Sequence, residues 1–187
     1  MKTIALLFFA FLFVSCANAG RATFAEIPWG SDRQGVEKIL EERGFSTTPL
    51  DEELDLLFTG KLLGHAVTGW ASFTPDYQVA VILISFQADL TEAFDVFDRV
   101  EKHLEEKYGT PEKQFKFFDP PYRTTDSPTK RILAIAADCG MWATFWPQAG
   151  LYVKVAGNPI NPVVIHYEGP LWSQESDRRK AIGAENF

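Results

Sequence analysis

The sequence predicts an α+β fold built from two tandem units, each a helix followed by antiparallel strands, with the helices packed on one face of the sheet. Two pairs of similar segments indicate the tandem arrangement. The acidic stretch 36–43 resembles 100–107, and the Trp-Ala-hydroxyl-Phe stretch 70–73 resembles 142–145. Both pairs occur in the same order along the chain, which favours duplication over chance resemblance.

The chain of 187 residues divides into four predicted segments. Residues 1–19 form a signal peptide, 20–88 the first unit, 89–169 the second unit and 170–187 a polar C-terminal tail. Domains usually contain roughly 100–200 residues, so the length fits one domain or two small ones. With 46% hydrophobic residues, the chain has ample material for a core.

The first helix is predicted to begin at a capping-box pair, Ser31 and Gln34, and to end before Gly44. Its buried face is formed by apolar residues at helical spacing: Val36, Ile39 and Leu40. Asp89 or Thr91 is expected to cap the second helix, which ends at Gly109. Its longer apolar stripe is typical of a helix packed on a core: Phe94, Phe97, Val100, Leu104 and Tyr108.

Alternating segments separated by turn residues predict the strands. The first unit has them near 54–60, 62–74 and 78–87, and the second near 113–119, 131–137, 141–147, 151–156 and 162–168. The tail after Gly169 is polar, and either one short helix or an irregular chain is expected there.

The N-terminal residues predict export. Lys2 precedes an unbroken apolar run from Ile4 to Val14, which is typical of a secretory signal peptide and too short to span a bilayer. Small residues ending at Ala19 favour cleavage there, giving a periplasmic protein. The residues 13–16 also resemble a bacterial lipobox, so acylation of Cys16 and an outer-membrane lipoprotein is the alternative.

Composition and motifs argue against several function classes. A net charge of −7 argues against nucleic acid as a partner, because nucleic-acid binding needs a basic surface. The sequence contains no motif for a catalytic site, a metal or a cofactor, and none of these is expected. Cys139 and His166 are the one conceivable nucleophile–base pair, but Cys139 is expected at the tip of a hairpin, where little would activate its thiol.

Strand alternation predicts a candidate binding surface. In 141–146 one face carries the tryptophans and a hydroxyl group, and the other face carries Met141, Ala143 and Phe145. The helices are expected to cover the latter face and to leave the former open to a partner. The candidate surface combines aromatic and hydrogen-bonding side chains, as protein interfaces do: Trp70, Ser72, Trp142, Thr144, Trp146, Tyr152, Lys154 and His166.

Two short motifs resemble a known family. Trp29-Gly30-Ser31 before a capped helix, and a helix that ends Lys107-Tyr108-Gly109-Thr110-Pro111, are similar to the SmpA/OmlA-type (BamE-like) outer-membrane assembly lipoproteins. Tandem units of this kind resemble the fold of β-lactamase inhibitor protein. The resemblance implies a small non-enzymatic module that binds another protein through its sheet.

The preferred interpretation is an exported, non-catalytic binding or envelope-assembly module that acts through the aromatic sheet face. Its expected partner is another envelope protein, with membrane contact only through a lipid anchor on an acylated Cys16. The alternative is a periplasmic carrier of a small apolar ligand, held between the sheet and the helices or the tail.

Overall fold

A computed structural model describes residues 20–50 and 55–185. The predicted signal peptide and the acylation site at Cys16 lie outside the described residues. Four α-helices occur in the described part: α1 (Arg33–Glu42), α2 (Ala93–Tyr108), α3 (Pro128–Ala136) and α4 (Trp172–Glu185). The strands are β1 (Ser46–Leu50), β2 (Asp55–Leu62), β3 (His65–Phe73), β4 (Val79–Phe86), β5 (Lys113–Phe118), β6 (Gly140–Trp146), β7 (Leu151–Val155) and β8 (Val163–Glu168).

The eight strands form one antiparallel sheet in the order β1-β2-β3-β4-β8-β7-β6-β5. Strands β1 to β4 follow α1 and strands β5 to β8 follow α2, and the two sets meet where β4 pairs with β8. The predicted α+β class is therefore confirmed. The duplication of the chain stays a prediction.

The similar segments 70–73 and 142–145 do not occupy equivalent strands. The first lies in β3, the third strand after α1, and the second lies in β6, the second strand after α2. The similarity of these two segments therefore does not identify strands at equivalent places in the sheet.

Two elements differ from the sequence prediction. Strand β1 was not predicted, and residues 131–137, expected as a strand, belong mainly to the helix α3. The hydroxyl oxygen of Ser127 accepts a hydrogen bond from the backbone N–H of Lys130, and Pro128 occupies the first helical turn. Both features are typical of a helix start. The short apolar run that follows is compatible with a helix or a strand, and these two features favour the helix.

Helix capping also differs from expectation. The side chain of Asp32, not Ser31, accepts a hydrogen bond from the N–H of Gly35 at 2.8 Å, while the Ser31 hydroxyl donates to the carbonyl of Pro28. Helix α2 follows Glu92 and has no side-chain cap. The predicted stripe of α2 is correct, with Phe94, Phe97, Val100 and Leu104 all buried.

The core lies between one face of the sheet and the helices α1 and α2. We call this the inner face; it carries Phe58, Phe73 and Phe86, each at most 1% exposed. The expectation that all helices pack on one face is not confirmed, because α4 bonds to Asp55. Asp55 pairs with Ser72, and in a strand Ser72 and Phe73 lie on opposite faces. We call the face of Ser72 the outer face.

Candidate functional site

Cross-strand pairing places a row of side chains along the outer face. Residues directly opposite each other in antiparallel strands share a face. The pairs run from Trp70 to Leu83, from Leu83 to His166, from His166 to Tyr152 and from Tyr152 to Phe145. The outer face therefore carries five of the residues that the sequence indicated: Trp70, Ser72, Tyr152, Lys154 and His166.

The other three predicted residues lie on the inner face. Trp142 and Thr144 alternate with Ala143 and Phe145 in β6, and Phe145 is on the outer face. Thr144 is fully buried and Trp146 is 2% exposed. The prediction that Trp142, Thr144 and Trp146 form an open face is therefore wrong, and so is the prediction that helices cover Phe145.

Contacts with α2 explain this orientation of β6. The ring of Trp142 meets that of Phe94 edge-on, with 5.3 Å between centroids. The indole N–H of Trp146 donates to the carbonyl of Gly109 at 2.7 Å. The hydroxyl of Thr144 donates to the carboxylate of Glu101. The polar side-chain atoms of Thr144 and Trp146 therefore have hydrogen-bond partners on the inner face, whereas the buried indole nitrogen of Trp142 has none among the described residues.

Glu101 was not identified from the sequence as a structurally important residue, although its position in the sequence indicates that it is one. It is a carboxylate on the apolar stripe of α2, four residues after Phe97, and a charge at such a position requires a partner. The Lys116 ammonium donates to it at 2.7 Å and the Gln114 amide at 3.2 Å. This network joins α2 to β5 and β6 beneath the sheet.

Four rings on the outer face are in contact; we call them the aromatic row. The ring centroids are 5.7 Å apart for Phe115 and Phe145, 5.3 Å for Phe145 and Tyr152, and 4.3 Å for Tyr152 and His166. The last two pairs are stacked and the first is edge-on. The Lys154 ammonium lies 6.0 Å from the centre of the Tyr152 ring.

Burial keeps the titratable members of the aromatic row uncharged. It lowers the pKa of His166 to about 4, and the nearby Lys154 ammonium adds to this shift. Burial, together with the carboxylate of Glu168, raises the pKa of Tyr152. At neutral pH the row therefore offers apolar rings and neutral hydrogen-bonding groups.

The aromatic row reaches solvent at β5. Phe115 is 40% exposed, Phe117 44% and Met141 43%, and register places all three on the outer face. Beside them lies a groove of about 510 Å³ that includes Met141, Phe145, Tyr152 and Lys154 in its lining. Strand β5 is the last strand at one side of the sheet, so within the described residues one of its two edges has no strand partner.

Sequence reasoning also missed Phe115 and Phe117. Their signal is the alternation in 113–118, where apolar residues at 115 and 117 flank Lys116. This pattern predicts one apolar face, but it does not show that the face remains uncovered.

At the other end of the outer face, α4 covers the sheet. The guanidinium of Arg179 donates to Asp55 at 3.0 Å, to the carbonyl of Phe73 at 3.3 Å and to Glu175 at 2.6 Å. Nearby on the outer face, Ser72 is 8% exposed and Val81 5%. Helix α4 therefore covers the outer face around Ser72 and Val81 and leaves its end at β5 open. The prediction that Ser72 is open to a partner is wrong, because α4 lies over it.

The structure does not bring together Cys139 and His166, the nucleophile–base pair considered from the sequence. Cys139 follows α3 in a turn, where its N–H donates to the carbonyl of Ala134, and it does not occupy a hairpin tip. It precedes Phe145 by six positions along β6, about 20 Å at 3.4 Å per residue. Tyr152 pairs across the strands with both Phe145 and His166, so His166 lies at the same level of the sheet as Phe145. The thiol of Cys139 and the imidazole of His166 are therefore far apart.

Residues 20–50 and 55–185 contain neither a cluster of metal-ligating side chains nor a membrane-spanning helix. No three His, Cys, Asp or Glu side chains come together there in a way that would hold a metal ion. None of the helices in this part combines the length and the apolar character needed to cross a membrane.

Comparisons with protein-family models, curated proteins and solved structures gave no match. The resemblance to the SmpA/OmlA-type lipoproteins is neither supported nor refuted by them and stays a prediction.

Proposed function

We propose that this protein is an exported, non-catalytic binding module that contacts another envelope protein through the exposed end of the aromatic row. The observation that carries the proposal is the cluster of three large apolar side chains, Phe115, Phe117 and Met141, each at least 40% exposed. Adjacent exposed apolar side chains mark interaction surfaces, whereas single ones need no explanation.

The charges around the cluster indicate the kind of partner. Lys113 and Lys154 lie on the outer face beside the rings, since Lys113 pairs with Phe145 and Lys154 with Ala143. A protein segment with apolar side chains flanked by carboxylates would complement this surface. The unpaired edge of β5 also suits an extended segment, because its free backbone groups can form hydrogen bonds with an added strand.

Site-specific photocrosslinking in the native envelope tests the proposal. A benzoylphenylalanine placed at Phe117 or Met141 is expected to yield one defined protein adduct. Leu133, 60% exposed on α3, and Tyr77, 48% exposed in the β3–β4 turn, are matched control positions. Adducts of equal yield at all four positions, or none at Phe117 and Met141, would contradict the proposal.

The identified partner then allows a quantitative test. Phe117→Ser is expected to weaken binding of the partner at least tenfold, as for other aromatic side chains that become buried in an interface, while Leu133→Ser leaves binding unchanged. A crosslinked product of twice the chain mass would instead identify a second copy of this protein as the occupant and overturn the heteromeric partner.

Export rests on the sequence of residues 1–19 and has its own test. Mass spectrometry of the mature protein is expected to find a free N-terminal Gly20 after cleavage at Ala19. An acylated Cys16 would replace the periplasmic form with an anchored one. An intact Met1 would contradict export itself.

A further inference from the structure

We infer that the cavity beneath α2 binds a small anionic amphiphile, a molecule with one apolar chain or ring system and one acidic group. The cavity measures about 310 Å³ and lies on the inner face, away from the aromatic row. The inference is independent of the proposed function, because the two surfaces lie on opposite sides of the sheet.

The interior of the cavity is apolar. Its walls include Ile84 and Phe86 of β4, Ile165 of β8, and Val100 and Leu104 of α2, each at most 4% exposed. The cavity is partly open to solvent at its mouth, and its apolar side chains suit the apolar part of a ligand that enters from outside.

The mouth of the cavity is cationic. Arg43, Lys61, His103 and Lys107 lie around it, and among the described residues no Asp or Glu lines it. Arg43 is paired with Glu26. In the same part of the chain, Lys107 on α2 has no carboxylate within ion-pair distance, although the whole protein carries a charge of −7. The register of β2 places Lys61 on the outer face with Asp55, so Lys61 borders the opening only at the edge of the sheet. The unpaired ammonium of Lys107, beside His103, complements an anion.

Apolar walls and a cationic mouth together define the ligand class. The acidic group would lie near Lys107, and the apolar part would extend toward Val100 and Ile84. Ligand pockets usually measure about 300–1,000 Å³, so this cavity is at the small end of that range and fits one chain of medium length.

Calorimetric titration of the purified protein with four ten-carbon probes tests the class. Decanoate and decyl phosphate are expected to bind saturably with one site per chain, decanol much more weakly, and decyltrimethylammonium not at all. Comparison of the two anions shows whether the site takes a carboxylate, as in a fatty acid, or a phosphate ester, as in a lysolipid. Equal binding of anionic, neutral and cationic probes, or none of the anions, would overturn the inference.

Chain length provides a second readout. Each added methylene that enters an apolar cavity should tighten binding about fourfold until the cavity is full. Affinities that rise without limit from hexanoate to tetradecanoate would indicate adsorption to the surface and contradict a bounded site.

Substitutions at the mouth locate the site. Lys107→Gln is expected to weaken decanoate binding about two- to fivefold, the range for partly exposed ion pairs. Lys102→Gln is the matched control, because Lys102 is exposed on α2 and does not line the cavity. Equal losses at positions 102 and 107 would exclude this cavity.

Val100→Phe should fill the cavity and abolish binding if the protein still folds by circular dichroism. Leu63→Glu tests the same site without touching the core, because Leu63 is 43% exposed at the mouth. Its added charge should weaken decanoate binding, while Leu133→Glu on α3 should not. Photocrosslinking at Phe117 remains unaffected by these variants, so failure of this inference is distinguishable from failure of the proposed function.

Discussion

The segments Trp70–Phe73 and Trp142–Phe145 have nearly the same residues, yet their side chains face opposite ways. In β3, Ala71 and Phe73 face the core and Trp70 faces outward. In β6, Trp142 faces α2, and Phe145 joins the aromatic row on the outer face.

Neighbouring elements, and not the strand's own residues, select the buried face. Both faces of this four-residue pattern carry a large ring, so burying either face removes a similar apolar area from water. In β6 the deciding contact is the hydrogen bond from Thr144 to Glu101 of α2. In β3 the inner position of Gly69 accommodates the ring of Phe58, which would come within 2.1 Å of any added Cβ atom.

The largest expected effect comes from truncating the same ring in both segments. Phe73→Ala should lower the free energy of unfolding by about 3–5 kcal/mol, because Phe73 is fully buried and its loss leaves a cavity. Phe145→Ala should cost about 1 kcal/mol, because Phe145 is only half-buried. Urea denaturation measures both, and equal costs would show that the two segments face the same way.

Removing the carboxylate that holds β6 is the next test. Glu101→Ala should lower the free energy of unfolding by about 2–3 kcal/mol, since Lys116 and Thr144 lose a charged partner in a largely buried place. Glu105→Ala, at an exposed position of the same helix, should stay within about 0.5 kcal/mol. If the Glu101 variant were as stable as the control, Glu101 would not be what holds β6 in its orientation.

The smallest effect concerns acid. The pKa of His166 is lowered to about 4 in the folded protein, against 6.5 for an unperturbed imidazole. Between these values the unfolded chain binds a proton that the folded protein does not, so stability falls as the pH is lowered through this window. For a partly exposed side chain the loss is on the order of 1–2 kcal/mol.

An NMR titration of the His166 ring protons measures this directly. A midpoint near pH 4 is expected, and His166→Phe should flatten the corresponding part of the pH–stability profile. A midpoint near pH 6.5 would mean that water reaches His166 and that the outer face is solvated from β5 as far as β8. The exposed apolar end at β5 would then be the only feature by which the outer face differs from ordinary protein surface.

The sequence was sufficient for the α+β class, for the stripe of α2 and for most strands, because each rests on a periodic pattern within one segment. It was not sufficient for the orientation of β6, since the partner of Thr144 lies 43 positions away in another element. The run from Ile132 to Ala136 is short and apolar throughout, so periodicity could not separate helix from strand. There Ser127 and Pro128 carried the decisive signal.

The candidate site was predictable in part. Trp70, Tyr152, Lys154 and His166 share one face, because they alternate with core residues in β3, β7 and β8. That face is opposite to the one that carries Trp142, Thr144 and Trp146, with which they were predicted to lie. The exposed end of that face was not predictable. It depends on where α4 lies, and the bond from Arg179 to Asp55 joins residues 124 positions apart.

Strand β8 contributes to both proposed surfaces. Ile165 and Tyr167 line the cavity, while His166 between them ends the aromatic row. A shift of this strand by a single residue would exchange the two linings at once and ruin both surfaces together. Strand β8 is held in place by β4 on one side and β7 on the other, and this pairing on both edges fixes the positions of both surfaces.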